Sequence, residues 1–169
     1  FFRDEAAFKS LGEHVLAPLL REKKSIRIWS IACSTGEEAY SIAILLCEYM
    51  ERLNYNADVK IFASDTDPDA IAAAQRGFYT EGSLASIDEH MIEKYFDKKE
   101  EGYIIKDMIR KMIVFARHNI FRDAPFSKLD LIVCRNMFIY VKPEVQKRTI
   151  GNFHHLLNDD GCLFLGSSI

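Results

Sequence analysis

The stretch Ser25-Ile26-Arg27-Ile28-Trp29-Ser30-Ile31-Ala32-Cys33-Ser34-Thr35-Gly36-Glu37-Glu38-Ala39-Tyr40 constrains the fold more than any other. Its first half is short, apolar and β-prone. Its second half passes through small residues to Gly36 and enters a long helical pattern. A strand that turns through small residues into a helix is how α/β proteins make room for a nucleotide or nucleoside. Small side chains let the backbone approach the ligand, and glycine supplies a positive φ. The acids after the glycine set the charge that the ligand must carry. A phosphate cradle offers bare N–H groups at a helix N-terminus to an anion, and Glu37 and Glu38 repel one. The loop suits a ligand with positive charge and hydroxyls. S-adenosylmethionine, with its sulfonium, ammonium and ribose, is such a ligand.

The rest of the chain alternates helical and strand patterns around this stretch. Phe8, Leu11, Val15, Leu16, Leu19 and Leu20 recur at helical spacing, with Pro18 as a break or kink. The first strand covers 26–32, a helix runs from Glu37 to about Leu53, and Val59 to Ser64 is the second strand. Asp65 at that strand's end is placed to accept hydrogen bonds from ribose hydroxyls. Asp67 reads as a helix N-cap, with Pro68 at the first helical position and a stop at Gly77. Residues 78–111 are weakly patterned. There Met91 to Phe96 is helical and Asp97 to Gly102 is an exposed turn, while Tyr103–Lys106 and Met112–Phe115 are strands paired around Asp107 to Lys111. Val114 to Arg117 begins a further strand of the main sheet. Leu129 to Cys134 is a continuous apolar strand of the buried parallel kind. Pro143 to Leu157 is a helix, Asn158 to Gly161 a turn and Cys162 to Leu165 a strand. The alternation predicts an α/β fold with a mostly parallel sheet flanked by helices. One domain spans 1–169, with a small β insertion at about 97–115.

Composition narrows the function. With 22 basic and 25 acidic residues and a net charge of −3, the chain is no general nucleic-acid binder. No apolar run is long enough for a membrane span and no secretory signal opens the chain, so a cytoplasmic location without membrane insertion is expected. Cys33, Cys47, Cys134 and Cys162 are scattered and form no C-x-x-C pair, so neither a metal site nor a disulfide framework is expected.

In a doubly wound sheet the ligand lies outside the carboxyl ends of the strands. Polar residues gather at such ends here: Ser34 to Glu38, Asp65, His118-Asn119 and Arg135-Asn136. These blocks, with Phe1-Phe2-Arg3, Ile28 to Ala43, Ala63-Ser64-Asp65-Thr66-Asp67, Asn119-Ile120, Asp130 to Tyr140 and Gly161 to Ser168, closely resemble the CheR-type chemotaxis receptor methyltransferases. The resemblance spans nearly the whole chain in the family's order and implies a Rossmann-like S-adenosylmethionine methyltransferase fold. It implies that S-adenosylmethionine is the cofactor, leaving as S-adenosylhomocysteine, and that the substrate is a glutamate side chain on a chemoreceptor's cytoplasmic helical bundle. Carried over residue by residue, Glu37 and Glu38 lie by the cofactor's amino-acid end, with Ala32, Ser34 and Gly36 in the turn. Asp65 holds the ribose, Asn119 and Ile120 flank the adenine, and Cys134, Arg135 and Asn136 line the centre. Arg3 and Tyr140 face the methyl group and the incoming carboxylate, which makes them the catalytic candidates; Arg3 counts among the cofactor contacts too.

The chemistry suits these residue types. A glutamate carboxylate is already ionised at neutral pH, so its methylation needs in-line positioning rather than a strong base. The family places polar cofactor contacts and a basic helical domain ahead of Phe-Phe-Arg, and a closing β-hairpin after Gly166-Ser167-Ser168; both are expected to lie outside this chain. The 97–112 segment lacks a glycine-rich turn of the kind used to dock a receptor tail, so no dependence on such a tether is expected, and a monomer is expected. The alternative function is a non-catalytic cofactor-binding module of a larger signalling protein. An NAD-dependent oxidoreductase is disfavoured by the missing spaced glycines and by acids where pyrophosphate would sit.

Overall fold

β1 (Ser25–Ile31) is the spine of the molecule, and α1 (Glu5–Leu11) and α2 (Ala17–Glu22) precede it in the chain. The computed structural model describes residues 1–135, 137–138 and 141–166. After β1 come α3 (Glu37–Leu53), β2 (Asp58–Asp65), α4 (Pro68–Arg76), β3 (Phe78–Tyr79), α5 (Glu89–Tyr95), β4 (Phe96–Lys98) and β5 (Tyr103–Ile105). The chain continues through α6 (Asp107–Arg110), β6 (Ile113–Arg117), β7 (Leu129–Cys134), α7 (Pro143–Leu156) and β8 (Leu157–Leu165). The main sheet has the order β6-β2-β1-β7-β8 with every pairing parallel. Strand order therefore reverses at β1, between β2 on one side and β7 on the other. That reversal opens the crevice in which ligands of open α/β sheets bind.

Both faces of the sheet are covered, as a parallel sheet requires. Ile26, Ile28, Ile61 and Val133 pack with Phe8, Leu16 and Leu20 from the N-terminal helices and with Ile42, Ala43 and Leu46 from α3. Trp29, Ile31, Ile132 and Cys134 pack on the opposite side with Phe138 and Phe153. Trp29 is fully buried and its indole N–H donates to Ser64 Oγ at 2.9 Å, which satisfies its one polar atom. It is packing, not a site residue.

Pro18 does not break the first helix. Gly12–Leu16 forms a π-helical turn between α1 and α2, in which the Ala17 N–H reaches back to the Gly12 carbonyl. The widened turn makes room for a proline ring that would otherwise meet the carbonyl of His14, to which Pro18 has no N–H to give. Asp67 caps α4 by accepting the Asp69 N–H, and Gly77 ends the same helix at φ 65°.

The weakly patterned third departs from expectation in its pairing. Tyr103–Ile105 pairs with Phe78–Tyr79 on one side and with Phe96–Lys98 on the other, both antiparallel, giving a separate small sheet of order β3-β5-β4. The 112–115 strand does not join it. The helix α6 carries the chain back to the main sheet, where Ile113 stands opposite Ile61 and Phe115 opposite Ala63. That placement buries Ile113 in the principal core. Asp97 to Gly102 is the hairpin turn anticipated, closed by the Lys99 N–H on the Gly102 carbonyl at 2.7 Å. At the other sheet edge Leu129 pairs with Leu157 and Leu131 with Cys162. The Asn158 to Gly161 segment therefore bulges out of β8 rather than ending it.

Asp130, only 2% exposed, ties that bulge to the start of the sheet. Its carboxylate pairs with Lys23 and accepts the Arg27 N–H at 2.9 Å and the Asn158 amide at 2.9 Å. Burial opposes its ionisation, but the hydrogen bonds from Lys23, Arg27 and Asn158 outweigh burial and hold the carboxyl below its ordinary pKa. A carboxyl with a depressed folded-state pKa contributes stability above its unfolded value and loses it as pH falls through the folded value. Asp130→Ala takes the acceptor away from Lys23, the Arg27 N–H and the Asn158 amide, while Lys23 keeps access to water, so a loss of about 1–3 kcal/mol is expected. Urea unfolding at neutral pH measures it, and the gap between variant and parent should narrow as the pH drops below the usual aspartate range.

Candidate cofactor and substrate site

The crevice forms where β1 gives way to α3. Ala32 and Ser34 adopt left-handed conformations (φ 57° and 51°), and Gly36 follows at φ 97°. Each such non-glycine residue costs about 1–2 kcal/mol, so the turn must be held from outside. The Cys33 N–H donates to the Ser64 carbonyl at 2.9 Å, and the Gly36 N–H to the Cys33 carbonyl at 3.0 Å. The Ser34 N–H donates to Asp65 Oδ2 at 2.9 Å. The Tyr79 hydroxyl donates to the Thr35 carbonyl at 2.6 Å, and the Thr35 hydroxyl to Glu37. Gly36 is also a close-approach position: a Cβ there would stand 3.0 Å from Ala74 Cβ and 3.1 Å from the Tyr79 hydroxyl.

Two cavities, each of about 230 Å³, flank this turn and share Ile31 and Ala32 as a common wall. The first is lined by Asp65, Thr66, His118, Asn119, Ile120 and Phe121, among others. The second is lined by Phe1, Phe2, Arg3, Ser34, Glu37 and Glu38, with Cys33 and Phe8 behind. A larger cavity of about 660 Å³ lies on the small sheet around Leu84, Ile92, Phe96 and Tyr103 and shares no residue with either.

Of the site residues expected from sequence, the second cavity gathers Arg3, Ala32, Ser34, Glu37 and Glu38, and the first gathers Asp65, Asn119 and Ile120 beside Ala32. Gly36 lies beneath the turn. Cys134 is fully buried at the end of β7, and neither it nor Arg135 lines either cavity. Asn136 and Tyr140 lie outside the described residues.

Arg135 serves instead as a hub behind the second cavity. One guanidinium nitrogen donates to the Arg3 carbonyl at 2.9 Å and to Glu38 at 3.4 Å. The group also lies over the rings of Phe8 and Phe164, at 5.2 and 5.0 Å. The N-terminal segment is further tied by the Phe2 N–H on Ser41 Oγ at 2.9 Å and by Ser86 Oγ on the Phe1 carbonyl at 2.7 Å. Burial pushes the Glu38 carboxyl above its ordinary pKa, while Arg135 and then Arg3 pull the other way. Burial, reinforced by Asp65 and by Glu37 and Glu38, pushes the Cys33 thiol up to about 12. Burial, with Glu38 added, does the same to Cys134. Both thiols stay protonated at neutral pH, which removes them as nucleophiles.

In the first cavity, Asp65 spends one hydrogen bond per oxygen on the backbone, to Ser34 and Asp67. A carboxylate accepts about four, so capacity remains for hydroxyls. The Asn119 N–H donates to Asp123 at 2.8 Å and Asn119 Oδ1 accepts the Phe121 N–H at 2.8 Å. This turn leaves the Asn119 amide NH2 as its donor toward a ligand. The His118 Nε2–H donates to the Ala124 carbonyl at 2.9 Å, and the imidazole meets Trp29 edge-on at 5.4 Å. His118 thus closes the loop that carries Asn119 and Ile120. Sequence reasoning missed Phe8, Phe121, Tyr79 and Ser41; each is an ordinary aromatic or hydroxyl residue with no spacing to mark it.

Residues 1–168 match the family described as CheR methyltransferase, SAM binding domain. The chain belongs to this family. The chemotaxis protein methyltransferase 2 of Vibrio cholerae is 36% identical over 99% of this chain and 60% of its own length. The chemotaxis protein methyltransferase of Borreliella burgdorferi is 35% identical over 99% and 62%. An uncharacterised 104.1 kDa protein of Rhodobacter capsulatus is 40% identical over 99% of this chain but only 18% of its own length. The chain thus spans about three fifths of the chemotaxis relatives and under a fifth of the third. Among solved structures, a glycopeptide N-methyltransferase complexed with sinefungin superposes with a TM-score of 0.53 at 11% identity, covering 96% of this chain and 48% of that one. The DhpI-SAM-HEP complex does so at 0.51 and 13%, covering 94% and 54%. These confirm the Rossmann-like methyltransferase fold of the CheR domain.

The turn's conformation is directly testable. Gly36→Ala adds a methyl group against Ala74 and Tyr79 at a positive φ. The expected loss is about 1–3 kcal/mol of stability, read by thermal or urea unfolding, with a matching fall in adenosyl-ligand affinity.

Proposed function

We propose that this CheR domain transfers the methyl group of S-adenosylmethionine to glutamate carboxylates on the cytoplasmic helical bundle of a chemoreceptor, acting as a monomer in the cytoplasm. The observation that carries the reading is the polarity of the groove across Ala32, with Asp65 at one end and Glu37 and Glu38 at the other. Carboxylates at both ends suit ribose hydroxyls and an ammonium group, and they repel a pyrophosphate. The residues present therefore fit the cofactor. Asp65 would hold the ribose, Asn119 and Ile120 the adenine, and Glu37 with Glu38 the amino-acid end. The buried Gly36 lets α3 begin close beneath it.

When bound, S-adenosylmethionine supplies an electrophilic methyl carbon whose bond to sulfur breaks as a carboxylate oxygen bonds to it. No proton moves in that exchange, which is why the groove needs no general base. The chain's own residues bind and orient. Arg3 lines the methionine-side cavity, and its guanidinium suits a bidentate grip on the incoming carboxylate. Arg135 holds the Arg3 backbone in place. Phe1, Phe2 and Phe8 supply apolar walls that limit water. Tyr140 completes the proposal as the group orienting the reacting end.

Incubation of the full-length protein with methyl-labelled cofactor and receptor cytoplasmic fragments should give base-labile methyl esters, and Arg3→Ala should abolish most of them. Receptor left unlabelled by a protein that binds S-adenosylhomocysteine would instead favour a non-catalytic module, and calorimetric binding of NAD alone would overturn the methyltransferase reading.

The raised Glu38 pKa adds a pH signature. The ionised form attracts the ligand's ammonium, so affinity for S-adenosylhomocysteine should fall as pH drops through that raised value, sooner than an ordinary glutamate would cause. Glu38→Gln should bind more weakly at neutral pH and lose this part of the pH dependence, as calorimetry across pH would show.

A further inference from the structure

The small antiparallel sheet lies outside the cofactor groove, yet one of its residues reaches the turn beneath it. Tyr79 stands on β3, paired with Tyr103 of β5. Its side chain leaves the small sheet and points at the start of α3, where its hydroxyl donates to the Thr35 carbonyl at 2.6 Å. The same oxygen lies 3.1 Å from where a Gly36 Cβ would be, so it touches the back of the turn at its tightest point. The ring is fixed on two sides: Phe1 meets it edge-on at 4.9 Å and Tyr40 at 6.0 Å. Tyr40 is itself anchored, its hydroxyl donating to the Ala74 carbonyl at 2.6 Å. Burial pushes the Tyr79 hydroxyl far above its ordinary pKa, with smaller contributions from Tyr40 and Glu37. It remains a donor throughout the working pH range.

The geometry points to Tyr79 as a positioning residue through which the small sheet holds the cofactor turn in its left-handed form and seats the Phe1–Arg3 segment beside it. The inference rests on the cofactor reading given above and assigns to that site a support that lies behind the groove. Among the described residues no backbone N–H bonds the Thr35 carbonyl, which leaves the Tyr79 hydroxyl as its donor. Ala32 and Ser34 on the near side carry unfavourable backbone conformations, and the Asp65 carboxylate restrains only Ser34. Tyr79 restrains the far half of the turn, between Ser34 and the first residue of α3. Phe1 rests on that ring and also on Phe96 of β4 at 5.6 Å, so the wall carrying Arg3 and the turn carrying Glu37 share one support. Linkage requires the effect to be reciprocal: a ligand that steadies the turn must also steady the small sheet.

Tyr79→Phe keeps the ring and both edge contacts and removes only the hydroxyl. The Thr35 carbonyl then loses a buried donor, and affinity for S-adenosylhomocysteine should fall by about tenfold. In the methylation assay KM for the cofactor should rise with kcat nearly unchanged at saturation, because the turn is re-formed once ligand is bound. Tyr103→Phe, whose ring lines the cavity on the small sheet away from the turn, should leave affinity unchanged. Hydrogen exchange supplies a second readout. Adding S-adenosylhomocysteine to the parent protein should slow exchange at the Ile105 amide, which bonds the Gly77 carbonyl at 2.9 Å beside Tyr79, and this protection should be lost in Tyr79→Phe. An unchanged dissociation constant in Tyr79→Phe, or a lower melting temperature with parental affinity and parental protection at Ile105, would overturn the positioning role. A parent protein that binds no adenosyl ligand would overturn the cofactor reading itself, while exchange at the Gly36 amide in the unliganded proteins would still report on Tyr79: faster in Tyr79→Phe supports it, equal rates oppose it.

Discussion

The Asp65 carboxylate bridging the backbone N–H groups of Ser34 and Asp67 is the interaction on which the site depends. It joins the end of β2 to the turn after β1 and so defines the crevice at the point where strand order reverses. A charge-assisted bond to a backbone N–H is stronger than a neutral one, which suits a turn with two non-glycine residues at positive φ. The same carboxylate lines the first cavity, so the group that stiffens the turn also faces whatever occupies that end of the groove. Backbone support and cavity wall share one group.

The second constraint is the position of Arg135, 9% exposed and nearly enclosed by Phe8, Phe164, Arg3 and Glu38. Burying a guanidinium without a partner is costly, and here the partners are the Glu38 and Asp4 carboxylates and the Arg3 carbonyl. The arrangement forces α3, the end of β7 and the N-terminal segment to meet at one point. Glu38 remains ionisable at a cost that burial imposes, and a cationic ligand in the adjoining cavity would offset that cost.

Much of this was legible in the chain. The alternation of apolar strands and helical stretches, the Asp67-Pro68 cap and the Gly77 stop all appear where local chemistry puts them, because those signals act over a few residues. The acids after Gly36 were readable for the same reason. What could not be read was long-range. Whether Ile113 joins Tyr103 or Ile61 depends on which face needs a β-branched side chain in the core, and no local pattern says so. Pro18 looked like a break because a proline's effect depends on whether the preceding turn can widen, which Gly12–Leu16 does. Arg135 looked like a groove residue, and its burial behind Arg3 is a tertiary fact. Tyr79 was invisible: a lone aromatic in a weak stretch carries no mark of where its hydroxyl ends.

The grip of Arg135 on residue 3 is made through that residue's carbonyl oxygen and not its side chain. Every amino acid has that oxygen. The seat of the N-terminal segment is therefore blind to what side chain stands at position 3, and that side chain can change while the segment's anchorage stays as it is. Within one scaffold, what the segment shows to the second cavity and what holds the segment in place are separable traits.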